Sequence, residues 1–301
     1  MKVRMYNVGF GDCFCLRDRK KSLLVDFGTN NSRIEGRPRR EIFDVIISDL
    51  STIKSKNLLL THFHMDHLSG LLYMMKKKDI SVDFGKIYLP DVFSKKEMSR
   101  TLVLLLLADL LKESGLPSRQ VSLFALVDAL LENKQNVELL SRGKLFENKY
   151  QALWPDTDVI RKETDEVYNR ICEDGKFKEV MAVLLEFAEK LRLIVWSMTA
   201  EGNKPAETVE KETDLTESEL TEQSEVRQKI IRAYVYEREF RRIKALPDFK
   251  KLLAWLNENQ INLRQFKHKI SIVFQNARDG ELNLLFTGDA PVSYTHLRAH
   301  E

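Results

Sequence analysis

The chain is poor in cysteine, in histidine and in net charge, and it has no long hydrophobic run. Among 301 residues there are three cysteines, Cys13, Cys15 and Cys172. So sparse and odd a set excludes the disulfide framework of a small secreted scaffold. Cys13 and Cys15, flanking Phe14 on an apolar stretch, read as core packing rather than as ligands. The longest apolar run, Leu102 to Ala108, is seven residues, whereas crossing a bilayer takes about 20. Met1-Lys2-Val3-Arg4-Met5-Tyr6 enters a strand without a secretory leader, so a soluble cytoplasmic protein with no membrane partner is expected. Forty-eight basic residues against 45 acidic ones leave a net charge of +3, too little to argue polyanion binding by itself. No internal repeat and no nucleic-acid module motif is evident. Hydrophobic residues make up 43% of the chain, enough for one sizeable core, or a core with a subdomain.

What stands out is where the histidines fall. Three of the six lie in Thr61-His62-Phe63-His64-Met65-Asp66-His67. The apolar Asn57-Leu58-Leu59-Leu60 before them reads as a short buried strand, and Leu68-Ser69-Gly70 follows. A strand that delivers imidazoles and a carboxylate into a loop presents metal ligands at the edge of a rigid sheet. On an extended backbone His62 and His64 leave on the same face and can share one ion. Asp66 and His67 follow after the chain turns and can serve a second, adjacent ion. Two ions about 3.5–4 Å apart would hold a bridging hydroxide and clamp the attacking and leaving oxygens. Imidazole with carboxylate suits zinc, with manganese or iron possible.

In these residues the chain resembles the metallo-β-lactamase-fold hydrolases, whose most specific signature is His-x-His-x-Asp-His. Leu282-Asn283-Leu284-Leu285-Phe286-Thr287-Gly288-Asp289 is a strand running into Gly-Asp, and the resemblance makes Asp289 the candidate bridge between two metals. The opening is similar to a particular subgroup. Val3 to Val8 alternates as a strand, Gly9-Phe10-Gly11-Asp12 turns, Cys13 to Leu16 starts another strand, and Ser22 to Gly28 ends a third in Asp-x-Gly. This pattern resembles the metallo-β-lactamase domains of the bacterial DNA-uptake channel family, ComEC, and its soluble relatives. Val137 to Gly143, Tyr150 to Pro155 with its Leu-Trp-Pro ending, and the strand Lys269 to Phe274 before the turn Arg278-Asp279-Gly280 agree with it. Asp26 reads as a buried carboxylate that orients ligand histidines, and Asp12 as a turn carboxylate, with a role at the site as the other possibility.

The resemblance implies an α/β (α+β) chain folded as a four-layer αββα sandwich: two mixed sheets face to face, helices outside, metals at one edge. It implies a hydrolase that uses a metal-bound hydroxide, with Asp66 as metal ligand and catalytic residue. The ComEC-like pieces point to phosphodiester bonds, hence a nuclease or phosphodiesterase. Lactone, thioester or other acyl hydrolysis on the same metals is the alternative, because a fold does not set a substrate.

Two departures matter. Many superfamily members supply a further histidine between the two motifs, and His268 is the only candidate here. It is read as a polar strand-entry residue, with ligation as the other possibility. The superfamily also continues past the bridging aspartate to a last histidine. Residues 291–301 resemble translated sequencing-adapter read-through rather than native chain, so His296 and His300 are declined as ligands. The expectation is a fold lacking its C-terminal part.

The core is therefore assigned to residues 1–156 and 265–290, with a helical insertion at 157–264. Val180, Val183, Leu184, Phe187, Leu191 and Ile194 share one helical face. Thr216-Glu217-Ser218-Glu219 reads as a capping box, and Leu246-Pro247-Asp248 breaks the helix before Phe249. Residues 201–225 hold nine acidic and two basic side chains, the composition of a solvated linker. Residues 226–251 hold nine basic and three acidic. The plain reading is a solvated face beside a complementary acidic loop. The alternative is a phosphate-contacting surface of Arg227, Arg232, Arg238, Arg241 and Arg242 with Tyr234, Tyr236 and Phe240, extended by Lys76-Lys77-Lys78. A protein partner docking on the insertion is a further possibility.

Overall fold

A computed structural model describes residues 1–18, 21–77, 83–112, 122–133, 135–173, 175–202, 242–259, 261, 263–276 and 284–291. Outside these residues lie the Thr216–Glu219 capping box, most of the acidic linker, and the basic and aromatic residues from Arg227 to Arg241. Lys78, the Arg278-Asp279-Gly280 turn and the tail from Val292 lie outside them too.

Strands β1 (Lys2–Met5), β2 (Phe14–Asp18) and β3 (Lys21–Val25) pair antiparallel, and β6 (Ser55–Leu59), β7 (Ile87–Pro90) and β8 (Val137–Leu140) then add in parallel. The six-stranded order is β1-β2-β3-β6-β7-β8. A two-stranded ribbon, β4 (Arg33–Ile34) with β5 (Arg37–Pro38), stands apart from it. The parallel strands read as continuous apolar runs because both of their faces are covered. Leu58 and Leu59 are both buried although they point to opposite sides, and so are Ile87, Tyr88 and Leu89.

The second sheet is antiparallel, in the order β12 (Leu285–Phe286), β11 (Val273–Asn276), β10 (Tyr150–Trp154), β9 (Leu145–Phe146). Its inner residues Phe146, Tyr150, Ala152 and Phe274 form one cluster with Leu16, Leu23, Val25, Leu59, Tyr88 and Leu140 of the first sheet. On its other side the cross-strand row Leu145–Gln151–Gln275–Leu285 faces outward, with Leu145 and Leu285 exposed. β11 begins at Val273 rather than at Lys269, because a short helix, Arg264–Lys269, occupies the expected strand start.

The far face of the first sheet is covered by helices. α1 (Arg39–Ser51) links the β4–β5 ribbon to β6, α2 (Met65–Lys76) links β6 to β7, and α3 (Ser99–Lys112) and α4 (Ser122–Glu132) lie between β7 and β8. α5 (Thr157–Cys172), α6 (Lys178–Ser197), α7 (Phe249–Glu258) and α8 (Arg264–Lys269) follow β10. α5 is capped by Asp156, whose carboxylate accepts from the Asp158 and Val159 amides. α6 buries Val180, Leu184, Phe187, Leu191 and Ile194, the face its periodicity marks, with Val183 at its margin.

α3 is the strut of this layer. Leu102 to Leu107 are fully buried, and the helix packs on α5, α6 and α8. A helix that is apolar all round belongs in a core. The run too short for a membrane is thus a buried helix, and no helix among the described residues is long and apolar enough to cross a bilayer. The described residues form an α/β sandwich of helical layer, mixed sheet and antiparallel sheet: three of the four expected layers lie among them, and the second sheet is antiparallel rather than mixed.

Leu106 sits at the centre of that layer with 0% exposure. Leu106→Ala should lower unfolding free energy by about 2–5 kcal/mol, read as a lower urea midpoint at unchanged slope.

Candidate metal centre

The parallel strands end level with one another. β3 and β6 pair Val25 with Leu59, which brings the next residues, Asp26 and Leu60-Thr61, side by side at the carboxyl edge of the sheet. Ligand sites in open α/β sheets gather at this edge. From Leu60 the chain bends at His62 and Phe63 and reaches His64, the residue before α2, at φ −87 and ψ 151. Phe63 is buried against Phe93 with ring centroids 5.9 Å apart, while the His62 and His64 rings lie 4.7 Å from each other. His62 Nε2 and His64 Nδ1 come within 2.8 Å.

Two more groups join them from distant chain. The His268 ring, on α8, lies 4.7 Å from that of His64 and 5.4 Å from that of His62. Asp289 follows β12, and its Oδ2 stands 3.4 Å from His268 Nδ1, 3.6 Å from His67 Nε2 and 3.8 Å from His62 Nε2. One ligand atom from each of His62, His64, His268 and Asp289 lies within 4.8 Å of all the others.

Behind this group sits Asp26, fully buried, with a backbone φ of 56°. Its amide donates to Leu59 O. Its Oδ1 accepts from Thr61 N at 2.8 Å, and its Oδ2 from Thr61 Oγ1 at 2.7 Å and His67 Nδ1 at 2.9 Å. Because the Thr61 hydroxyl gives its one proton to Asp26, it accepts from His62 Nδ1, 3.1 Å away. Both imidazoles are thereby set in the tautomer that leaves Nε2 free for a metal.

A second group forms around the other side of His67, with Asp12 and Asp26. Asp12 Oδ2 is 3.8 Å from His67 Nδ1. Its turn is locked onto α2: Asp12 N donates to Asp66 O, and Gly28 N donates to Asp12 O. A Cβ at Gly28 would fall 2.6 Å from the Asp66 carbonyl, so only glycine permits this approach.

Charge follows from the geometry. Burial, and then the neighbouring His67 and His64, hold the His62 imidazole well below its usual range. Burial also opposes charge on His67, but Asp26, through its field and hydrogen bond, and then Asp289 push it up to about 11. Hydrogen bonds from His268 and His67 hold Asp289 well below the usual carboxylate range. Burial raises the Asp12 carboxyl. The centre therefore holds a cation even when that cation is only a proton on His67. Three imidazoles and a carboxylate turned on one point form a donor set that suits a divalent metal of the zinc type.

The structure brings together His62, His64, His67 and Asp289, and buries Asp26 behind them as an orienting carboxylate. It bears on three further residues. His268 is not a bystander at a strand entry: α8 places its ring in the first group. Asp12 is more than a turn residue, since it flanks His67. Asp66, expected beside His67, lies in the first turn of α2, and its carboxylate is in neither group among the described residues. The scarcity of histidine was a signal for His268, and the Gly9-Phe10-Gly11-Asp12 turn was the only one for Asp12. Cys13 and Cys15 are buried free thiols.

A family model described as the metallo-beta-lactamase superfamily matches residues 6–91. The matched stretch carries Asp12, Asp26 and the whole histidine motif, but not His268 or Asp289. Its description, with the His/Asp groups at the sheet edge, implies a metal-dependent hydrolase. No curated protein and no solved structure matches the chain.

The His67–Asp26 pair makes a testable statement about the metal-free protein. A raised histidine pKa gives stability that is complete below the ordinary value of 6.5 and is lost as pH climbs through about 11. Imidazole NMR on chelator-treated protein should find His67 protonated at pH 8. In Asp26→Asn its titration should move down toward 6.5, and the stability loss across that window should flatten. A neutral wild-type His67 at pH 8 would contradict this account.

Proposed function

We propose that this protein is a two-metal hydrolase of phosphodiester bonds, a nuclease or phosphodiesterase. The observation that carries the two-metal reading is Asp289, whose single Oδ2 faces His62, His268 and His67 at 3.4–3.8 Å and so stands between two groups of donors. His62, His64 and His268 with Asp289 are assigned to one ion, and His67 with Asp289 to the other, which Asp66, outside both groups here, would join on loading. Zinc fits these donors best, with manganese or iron as alternatives. Bound there, such ions make a water nucleophilic near neutral pH and polarise the bond to be cleaved.

The chain's own residues supply the rest. His62 and His67 are buried and close the back of the centre to water, while His64, His268 and Asp289 are partly exposed and form its open side. Asp26 and Thr61 keep the protons of His62 and His67 on Nδ1, away from that opening. Asp289 resists protonation and stays available as an anionic ligand.

Support for phosphodiesters comes from where the ComEC-like residues sit. The Val8-Gly9-Phe10-Gly11-Asp12 turn puts Asp12 beside His67. The Leu153-Trp154-Pro155 segment reaches the other side, where Trp154 Nε1 donates to the carbonyl of Lys269, next to His268. Both pieces abut the centre rather than lie on remote surface.

Zinc- or manganese-loaded protein should cleave single- or double-stranded DNA and a chromogenic phosphodiester, and chelation should abolish the activity. Asp66→Ala should abolish it without altering the far-ultraviolet spectrum or melting; retained turnover there would overturn the metal assignment. No phosphodiester cleavage, together with turnover of a lactone or thioester, would replace this substrate class with acyl hydrolysis.

A further inference from the structure

Of the first group's four donors, only His268 arrives from the helical layer. It rides on α8, which has six residues, too few to hold a shape alone. The residues on either side of it are tied down. Lys267 is 4% exposed, and its Nζ bonds to Asp109 Oδ1 and, at 3.0 Å, to Ser122 Oγ. Ser122 Oγ in turn donates to the Asp109 carboxylate, 3.0 Å from Oδ2. Asp109 belongs to the last turn of α3 and Ser122 opens α4; both are buried. On the other flank Lys269 Nζ meets Glu163 of α5 at 2.5 Å.

A buried ion pair adds little net stability, because desolvation offsets its attraction, and an apolar pair of similar volume often serves as well. What it provides is direction. Each polar atom of Lys267, Asp109 and Ser122 has a partner on another helix, so one placement of α8 satisfies all three. We propose that Lys267, Asp109 and Ser122 form a positioning device for His268, and that metal affinity in the first group depends on this buried network in the helical layer. The proposal rests on His268 being a ligand. Its members touch neither substrate nor metal; they act through the seating of α8.

The test measures metal binding rather than turnover. Lys267→Met with Asp109→Leu removes both charges together and leaves no orphaned ion. Zinc affinity by competition with a chromophoric chelator, and the cobalt(II) absorption spectrum, would be compared with wild type, with His268→Ala, and with all three substitutions combined. Melting of the metal-free proteins serves as the structural control. The double variant should melt near wild type yet bind the first ion about 10- to 100-fold more weakly, with an altered cobalt spectrum. Adding His268→Ala to it should cost little more, since both lesions act through one ligand. If His268→Ala weakens binding while the double variant does not, the positioning role is overturned and the ligand assignment survives. If His268→Ala itself leaves affinity unchanged, the ligand assignment fails and the proposal falls with it. Should the double variant not fold, Ser122→Ala, which removes the hydroxyl's bonds to Lys267 and to Asp109 but keeps the ion pair, decides the matter: a several-fold loss supports the device and an unchanged affinity overturns it.

Discussion

The carboxylate of Asp26 is the constraint from which the centre is built. A buried carboxylate without partners would be prohibitively costly. This one accepts from Thr61 N, Thr61 Oγ1 and His67 Nδ1. Those bonds join the end of β3, the loop after β6 and the first turn of α2. Each also has a chemical consequence: His67 is oriented directly, and His62 through the Thr61 hydroxyl. The left-handed backbone of Asp26, unusual for a residue with a side chain, is held by its amide bond to Leu59 O and by these contacts. Conformational cost and desolvation cost are met at one residue, and two metal-facing nitrogens are aimed by it.

Asp26 can do this only because the strands end in register. Parallel pairing of Val25 with Leu59 places Asp26 beside Thr61, and any slip would turn the apolar pattern of β6 inside out. That pattern is enforced from both sides, with Leu58 packed toward the helices and Leu59 toward the second sheet. The second sheet then delivers Asp289 after β12, and the helical layer delivers His268. Three layers each contribute to one point, so the centre forms only when all of them have docked.

Legibility in the sequence followed the range of the interactions. His62, His64 and His67 could be read because six adjacent residues contain them. Asp289 and Asp26 were readable by resemblance, each ending a recognisable strand. For His268 and Asp12 the sequence left two readings open, because their placement depends on helix docking and turn contacts between residues far apart in sequence. Lys267 carries no mark in the sequence, since its partner Asp109 is 158 positions away. The α3 run, Leu102 to Ala108, carried no periodicity to decide its partner, since a helix buried on every side has no polar face to reveal its orientation. The start of β11 was placed early because Lys269-Ile270-Ser271-Ile272 alternates like a strand, yet α8 continues through Lys269, the residue whose flank ties help seat His268.

The same geometry bears on substrate charge. Three carboxylates, Asp12, Asp26 and Asp289, each bring an oxygen within 3.8 Å of a nitrogen of His67. Carboxylates gathered around one imidazole make a surrounding that favours a cation over an anion. Divalent ions reverse this balance, because a bound metal is the largest charge in such a site and overrides the local sign. The metal-free centre is thus built to attract cations, and the loaded centre can accept an anion. On the proposed phosphodiester reading, recognition would then follow from metal occupancy, which is consistent with a chain whose net charge is only +3.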